Sequence, residues 1–377
     1  MTNPLKRLCE LGQSVWYDYI RRDLYAGGEL RRLIEEDGLR GMTSNPTIFQ
    51  KGIAETDLYD EDMKTASREG LEGPAIFERL AVTDVQRAAD LFRPVYEESR
   101  GADGFVSIEV SPGVALDTEA SIAEARHLWK ACARPNVMVK IPGTREGVPA
   151  IRRCLAEGIN INITLLFSVE RHREVMEAYL SAMEERARAG EPLDSVRSVA
   201  SFFVSRVDTN IDAKLDSIAK EAKDTRRRDL ARQLRGKVAT ANARIAYQAF
   251  REVFGGSRFD ALRGKGARLQ RPLWASTSTK DPAYPPLYYV EALIGPDTVD
   301  TMPPDTFEEY RRSGDPKVRI GDDLEAAHAA FRQLEEVGVD EKQVYRELEE
   351  EGVRKFSDSF RSLIGALEEK EKAMRVA

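Results

Sequence analysis

Histidine is scarce. His127, His172 and His328 are the three in 377 residues, each on a separate helical stretch and at no ligand spacing. No metal centre is therefore expected. Cysteine is as rare: Cys9, Cys132 and Cys154 stand far apart with no CxxC pair. That is the usage of reduced thiols in a cytosolic protein rather than of a disulfide scaffold. No apolar run approaches the roughly 18 residues that mark a membrane helix. The opening MTNPLKRLCELGQ holds no apolar leader stretch, so a cytoplasmic location is expected. Excess positive charge is missing too, since 57 Lys and Arg against 64 Asp and Glu leave a net charge of −7. That balance argues against a nucleic-acid partner. The one basic run, Arg226–Lys237, is interrupted by Asp229 and reads as a solvated helix face. No internal repeat, low-complexity segment or GxGxxG after the first strand is visible. A soluble globular chain remains, 42% hydrophobic and 32% charged, with mean hydropathy −0.46.

The most informative stretch is Asn136–Thr144, NVMVKIPGT. Val137, Met138, Val139 and Ile141 are apolar and Pro142-Gly143 stop the run, which describes a short, fully buried strand. Central strands of parallel sheets look like this, because helices cover both faces. Lys140 lies inside it. Lysine is rarely buried without a partner or a use. Desolvation would favour the free amine, the form that attacks a carbonyl. A strand-end lysine snorkelling to solvent has the same local sequence, so this strand alone leaves both readings open.

Along the chain, strand-like runs alternate with helical ones. Candidate strands carry Asp18, Thr43, Glu109, Lys140, Thr164, Ser201, Ser276 and Thr301, eight in all. Helical stretches are expected at Asp23–Gly38, from about Asp57 to Ser99 with a break near Gly70–Pro74, at Asp117–Ala133, Gly147–Ala156 and after Ser168. Further ones run from Asp208 to about Val253, around Leu287–Ile294, and from Asp322 to the end. Eight βα units in one chain predict a single (β/α)8 TIM barrel domain spanning residues 1–377 with additional helices. A doubly wound open sheet is the second choice. The segment from about 340 to 377 is amphipathic through Phe356, Phe360, Leu363, Ile364 and Leu367. It is expected to pack on the barrel as a helical extension.

In such barrels the reactive groups stand at the carboxyl ends of the strands. Taken there, the strands offer Asp18, Asn45, Glu109, Lys140, Asn162 with Thr164, Ser201 with Arg206, and Ser276. One polar residue at a strand end is commonly structural, but a polar residue at nearly every one points to a site. The set also has chemical sense. A lysine amine can form a Schiff base with a carbonyl substrate, carboxylates can move protons, and the imine accepts electrons when a carbon–carbon bond breaks. The planar fork of Arg206 suits phosphate.

Six motifs together, SVWYDYI, GMTSNPTIF, FVSIEVSP, VMVKIPGT, INITLLFS and SFFVSRVD, resemble transaldolase in its longer form. The resemblance extends from about Leu8 to Leu367. It implies a class I barrel enzyme of the non-oxidative pentose phosphate pathway, a transferase acting on sugar phosphates without a cofactor. Such an enzyme moves a dihydroxyacetone unit from sedoheptulose 7-phosphate to glyceraldehyde 3-phosphate, giving erythrose 4-phosphate and fructose 6-phosphate. By the same resemblance Lys140 forms the imine and Asp18 deprotonates the C4 hydroxyl. Glu109 shuttles protons through a water held by Thr164. Asn45, Asn162 and Ser201 bind the hydroxyls of the dihydroxyacetone part, and Arg206 with Ser276 the phosphate. Two positions depart from the pattern. Relatives of the shorter form place an arginine soon after the Ser276 strand, where this chain reads STSTKDP and Lys280 is assigned as the second phosphate cation. Ser205 stands where many relatives have glycine.

Two other functions fit some of these residues. A plain aldolase would use the same lysine but release dihydroxyacetone, and a tyrosine at the acid/base position would favour that outcome; the resemblance puts Glu109 there. A non-catalytic sugar-phosphate-binding barrel would not need a buried lysine beside two carboxylates. A monomer or homodimer is expected, with no nucleic-acid or membrane partner.

Overall fold

Eight parallel strands close on themselves in sequence order in the structure, a computed structural model that describes residues 3–376. They are β1 (Gln13–Asp18), β2 (Gly41–Thr43), β3 (Phe105–Glu109) and β4 (Val137–Pro142). The other four are β5 (Ile161–Leu166), β6 (Ser198–Phe203), β7 (Gln270–Ala275) and β8 (Thr298–Met302). β8 pairs with β1, so the sheet has no edge and the expected (β/α)8 barrel is present. Every residue of β4 and of β5 is buried, as the unbroken apolar run around Lys140 required.

Side chains alternate between the two faces of each strand, and that period builds the site. Trp16, Phe105, Met138, Val199, Leu273 and Val299 form a separate apolar cluster inside the barrel. Two residues further along the same strands, and so on the same inward face, stand Asp18, Ser107, Lys140, Ser201, Ala275 and Thr301. Apart from Ala275, which joins the apolar cluster, the barrel is thus polar at its carboxyl end and filled with hydrocarbon below. Gly41 makes the lower layer possible, because a Cβ there would lie 2.5 Å from the indole of Trp16. At the opposite, amino-terminal face Ser14, Asp103 and Arg271 close the barrel. The Arg271 guanidinium donates to Ser14 Oγ at 2.7 Å and to Asp103 Oδ1 at 2.9 Å.

The helical layer departs from expectation at several points. The stretch Asp23–Gly38 breaks at Gly27-Gly28 into helices Asp23–Ala26 and Glu29–Glu36, with Gly28 in the left-handed region. Ser44-Asn45-Pro46 is a helix start as well as a turn. Asn45 Oδ1 accepts from Ile48 N–H at 3.2 Å, and Pro46 begins helix Pro46–Glu55, the usual places for a cap and a proline. The strand carrying Ser201 stops at Phe203, three residues before Arg206. Ser205 begins helix Ser205–Glu221, whose Val207, Ile211 and Leu215 face the core. The long helical region after it is three helices, continuing with Thr225–Leu234 and Val238–Phe254. Helices Ser257–Arg263 and Pro304–Ser313 were not expected from the sequence.

The C-terminal helical region breaks at Gly338, in the left-handed region, leaving Leu324–Glu336 and the 36-residue helix Glu341–Val376. At ~1.5 Å per residue that last helix is about 54 Å long. It crosses the carboxyl end of the barrel and lies along helix Pro46–Glu55, joined by Thr47–Ser359 at 3.2 Å and Gln50–Ser362 at 2.9 Å. Phe356, Leu363 and Leu367 of its apolar stripe are buried. Phe360 is part-buried and meets Phe77 edge to face, with ring centroids 5.6 Å apart. Among the described residues, no helix is long and apolar enough to cross a membrane.

Candidate active site

The carboxyl ends of the strands open into one cavity of about 660 Å³. Asp18, Asn45, Glu109, Lys140, Thr164, Ser201, Arg206, Ser276 and Lys280 all line it. Residues drawn from positions 18 to 280 of the chain therefore meet in one chamber, delivered by the ends of seven strands, β1 to β7, and the segments after them.

Lys140 is the centre of the chamber. Its Nζ lies 3.3 Å from Glu109 Oε2 and 3.3 Å from the carbonyl oxygen of Ser44. Glu109 and Lys140 are paired across β3 and β4, and each side chain is only 10% exposed. Asp18 is held from the other side, where Thr43 Oγ1 donates to its Oδ1 at 2.7 Å and contacts Thr301 Oγ1 at 2.8 Å. Burial raises the pKa of Asp18, and Lys140, the Thr43 hydrogen bond and Arg206 pull it back. Burial likewise raises that of Glu109, with Lys140 opposing and Asp18 adding to the rise. Two carboxyls thus flank one amine, each held above its usual range.

Asn162 stands apart from the other expected residues. It is paired with Lys140 across β4 and β5 and is fully buried. Its Oδ1 accepts from Ser201 Oγ at 2.7 Å and its Nδ2 donates to Ser107 Oγ at 3.0 Å. The carboxamide sits in the floor beneath the chamber and reaches it through Ser201. Thr164 is also buried, one residue before Leu165, where β5 shifts register against β6 and the backbone turns left-handed at φ 60°.

The phosphate-suited end lies beyond β6 and β7. Arg206 is in the first turn of helix Ser205–Glu221, and its guanidinium lies over the Phe203 ring, 5.0 Å from the centroid. Ser276 adopts φ 57°, and its Oγ lies 2.9 Å from Ser205 Oγ. Ser205 thereby ties the start of the helix to the end of β7, a use that glycine could not serve. Lys280 follows, donating to Ser278 Oγ at 2.8 Å. Burial lowers its pKa and the charge of Arg206 adds to the effect, so two cations share this end. The segment carrying Lys280 is anchored below. Arg235 donates to Asp281 Oδ2 at 2.7 Å, Tyr284 OH to Asp212 Oδ2 at 2.6 Å, and Tyr289 OH to Asp208 Oδ2 at 3.0 Å.

A lysine between two carboxylates, inside a closed barrel and facing paired cations, fits the motif resemblance in three dimensions. The sequence profile of the Transaldolase/Fructose-6-phosphate aldolase family matches residues 15–367. The chain belongs to that family. It is 44% identical over 376 residues to a transaldolase of Trichodesmium erythraeum, covering 99% of both chains. It is 46% identical over 368 residues to one of Thermobifida fusca, covering 97% of each. To one of Mycolicibacterium smegmatis it is 45% identical over 366 residues, covering 97% of this chain and 96% of the other.

Within this transaldolase-family site, some residues were not singled out from the sequence. Thr43 and Thr301 marked strands, but their contacts with Asp18 and each other depend on the closure of β8 onto β1. Gly352, Lys355, Phe356 and Ser359 enter the cavity wall from the C-terminal helix. Only Phe356 carried a sequence signal, as part of the apolar stripe.

Proposed function

We propose that this chain is a transaldolase that transfers a dihydroxyacetone unit between sugar phosphates through a Schiff base on Lys140. The observation that carries the reading is the placement of the Lys140 amine between Glu109 and the Ser44 carbonyl, in the same cavity as Asp18, Arg206 and Lys280.

The ketose phosphate enters with its phosphate toward Arg206, Ser276 and Lys280. The free amine of Lys140 attacks the C2 carbonyl, and the new carbinolamine loses its hydroxyl as water when Glu109 supplies a proton, through a water held by Thr164. Asp18 then takes the proton of the C4 hydroxyl. The C3–C4 electron pair flows into the imine, the C4 oxygen becomes an aldehyde, and the departing aldose phosphate leaves a three-carbon enamine on Lys140. Asn45 and Ser201 hold that fragment by its hydroxyls, and Asn162 keeps Ser201 oriented. An incoming aldose phosphate is attacked by the enamine and the steps reverse, with Asp18 returning its proton to the new C4 oxygen. The end product is released when water hydrolyses the imine. Burial raises both carboxyls above their ordinary values, which favours their holding a proton that each can pass on.

Incubation with fructose 6-phosphate, with and without erythrose 4-phosphate, tests transfer against release. Sedoheptulose 7-phosphate and glyceraldehyde 3-phosphate are expected only when the acceptor is present. Free dihydroxyacetone formed at the same rate without acceptor would instead make the chain an aldolase.

A further inference from the structure

The cations at the phosphate end are not all supplied by the barrel. Lys355, on the C-terminal helix, lines the same cavity as Arg206 and Lys280. The three also line a second cavity beside it, between helix Ser205–Glu221 and the C-terminal helix, together with Glu351. Arg206, Lys280 and Lys355 therefore form the partition between the two chambers.

The helix is set close enough for this by Gly352. A Cβ at that position would lie 3.1 Å from Leu165 Cδ2, at the irregular end of β5. Glu351 and Lys355 flank that contact, one turn apart on one helix face, and are ion-paired with each other. Arg206 has no ion pair of its own among the described residues, and the first carboxylate whose charge it feels is Glu351, ahead of Asp18. The Glu351 carboxyl is in turn lowered first by its hydrogen bond to Lys355, and to a smaller extent by Arg206. Glu351 lines the second cavity and not the first, so in the free protein its carboxylate pairs with Lys355 from the far side of the partition.

Resting on the transaldolase reading of this site, we infer that Lys355 is a third phosphate-binding residue, with Glu351 as its resident counter-anion that substrate phosphate displaces. The phosphate competes with a carboxylate for Lys355 and Arg206. The C-terminal helix thereby contributes to selection of phosphorylated over unphosphorylated sugars.

The test compares fructose 6-phosphate with fructose as donors in wild type, Lys355→Gln, Lys355→Glu and Arg206→Ala. More than half of the Lys355 side chain faces water, 59%, so its contact is worth less than a buried charged one. Lys355→Gln should raise KM for fructose 6-phosphate about three- to tenfold. Lys355→Glu should raise it further, with kcat and fructose turnover unchanged in both. Glu351→Gln should tighten competitive inhibition by inorganic phosphate about two- to fivefold. An unchanged KM in both Lys355 variants, while Arg206→Ala raises it, would overturn the inference and leave the phosphate site standing. Equal losses on fructose and fructose 6-phosphate would also overturn it, by showing that Lys355 acts only through the seating of the helix. If Arg206→Ala leaves KM unchanged as well, the reading of the phosphate end falls with it.

Discussion

Lys140 Nζ and Glu109 Oε2 lie 3.3 Å apart on paired residues of β3 and β4. Asp18, by contrast, is held by Thr43 on β2 and shares no hydrogen bond with the lysine among the described residues. The two carboxylates therefore stand in different places relative to the amine, one beside it and one across from it. In the proposed mechanism proton delivery at C2 and proton removal at C4 are separate tasks, and two separately held carboxyls match that division.

Asp18 and Glu109 should fail differently. Each substitution is expected to slow turnover by about 10²–10⁴-fold, the range for a lost general acid or base. Asp18→Asn should still form the imine with fructose 6-phosphate and stall before cleavage, so that borohydride traps the six-carbon sugar on the enzyme. Glu109→Gln should form any adduct slowly. Mass spectrometry of the reduced protein separates the two cases. A three-carbon adduct formed by Asp18→Asn at the wild-type rate would move the cleavage role elsewhere.

Burial raises both carboxyls, so the acid limb of the kcat–pH profile should lie above the range of ordinary carboxylates, about pH 4. A steady-state profile measured from pH 4 to 9 reads this directly, and full activity persisting down to pH 4 contradicts it.

Arg206→Ala should raise KM for fructose 6-phosphate by about 10- to 100-fold, since charge-assisted hydrogen bonds to phosphate are among the stronger ones. Turnover of fructose should be nearly unaffected. Equal losses on the two donors would show that Arg206 holds the barrel mouth together rather than the phosphate.

Asp300, on the outward face of β8, is a stability liability. It is fully buried, accepts from Thr277 Oγ1 at 3.0 Å through one oxygen, and is pushed up to about 7 by burial. Between its ordinary value of 3.8 and about 7, the unfolded chain has released a proton that the native chain keeps. Stability from this group is therefore full below the lower value and lost as pH rises toward the upper one. Asp208, also raised to about 7, acts in the same direction. Asp300→Asn keeps an acceptor for Thr277 and removes the ionisation. Its thermal midpoint should exceed wild type at pH 8 and the gap should narrow toward pH 4, as differential scanning fluorimetry can measure. A variant less stable than wild type at every pH would show that the carboxyl is needed.

Much of the site was legible because strand periodicity is local. NVMVKIPGT marked Lys140 as a lysine inside a buried strand, and Asp18, Glu109 and Ser201 stood at the carboxyl ends of other strand-like runs. Ambiguity began where one local pattern serves two structures. Asn45-Pro46 reads as a turn and is also a helix cap. The apolar run before Arg206 continues past the strand because Val204 belongs to the turn that leads into the following helix. What no local pattern could supply was contact between distant segments. Thr43 meets Asp18 and Thr301 only once the barrel closes. Asn162 looked ready for substrate, yet its amide is committed to Ser107 and Ser201 on neighbouring strands. Lys355 lies nearly 150 residues after Arg206 in sequence, and only the crossing of the C-terminal helix brings both into one cavity wall.

The covalent role of Lys140 is tested most directly by reducing the enzyme with borohydride in the presence of fructose 6-phosphate, then mapping the adduct by peptide mass spectrometry. A reduced dihydroxyacetone unit on the peptide containing Lys140 is expected, and none in Lys140→Arg, whose guanidinium stays protonated and cannot attack a carbonyl. An adduct on another lysine, or a Lys140→Arg variant that still turns over, would contradict the Schiff-base assignment.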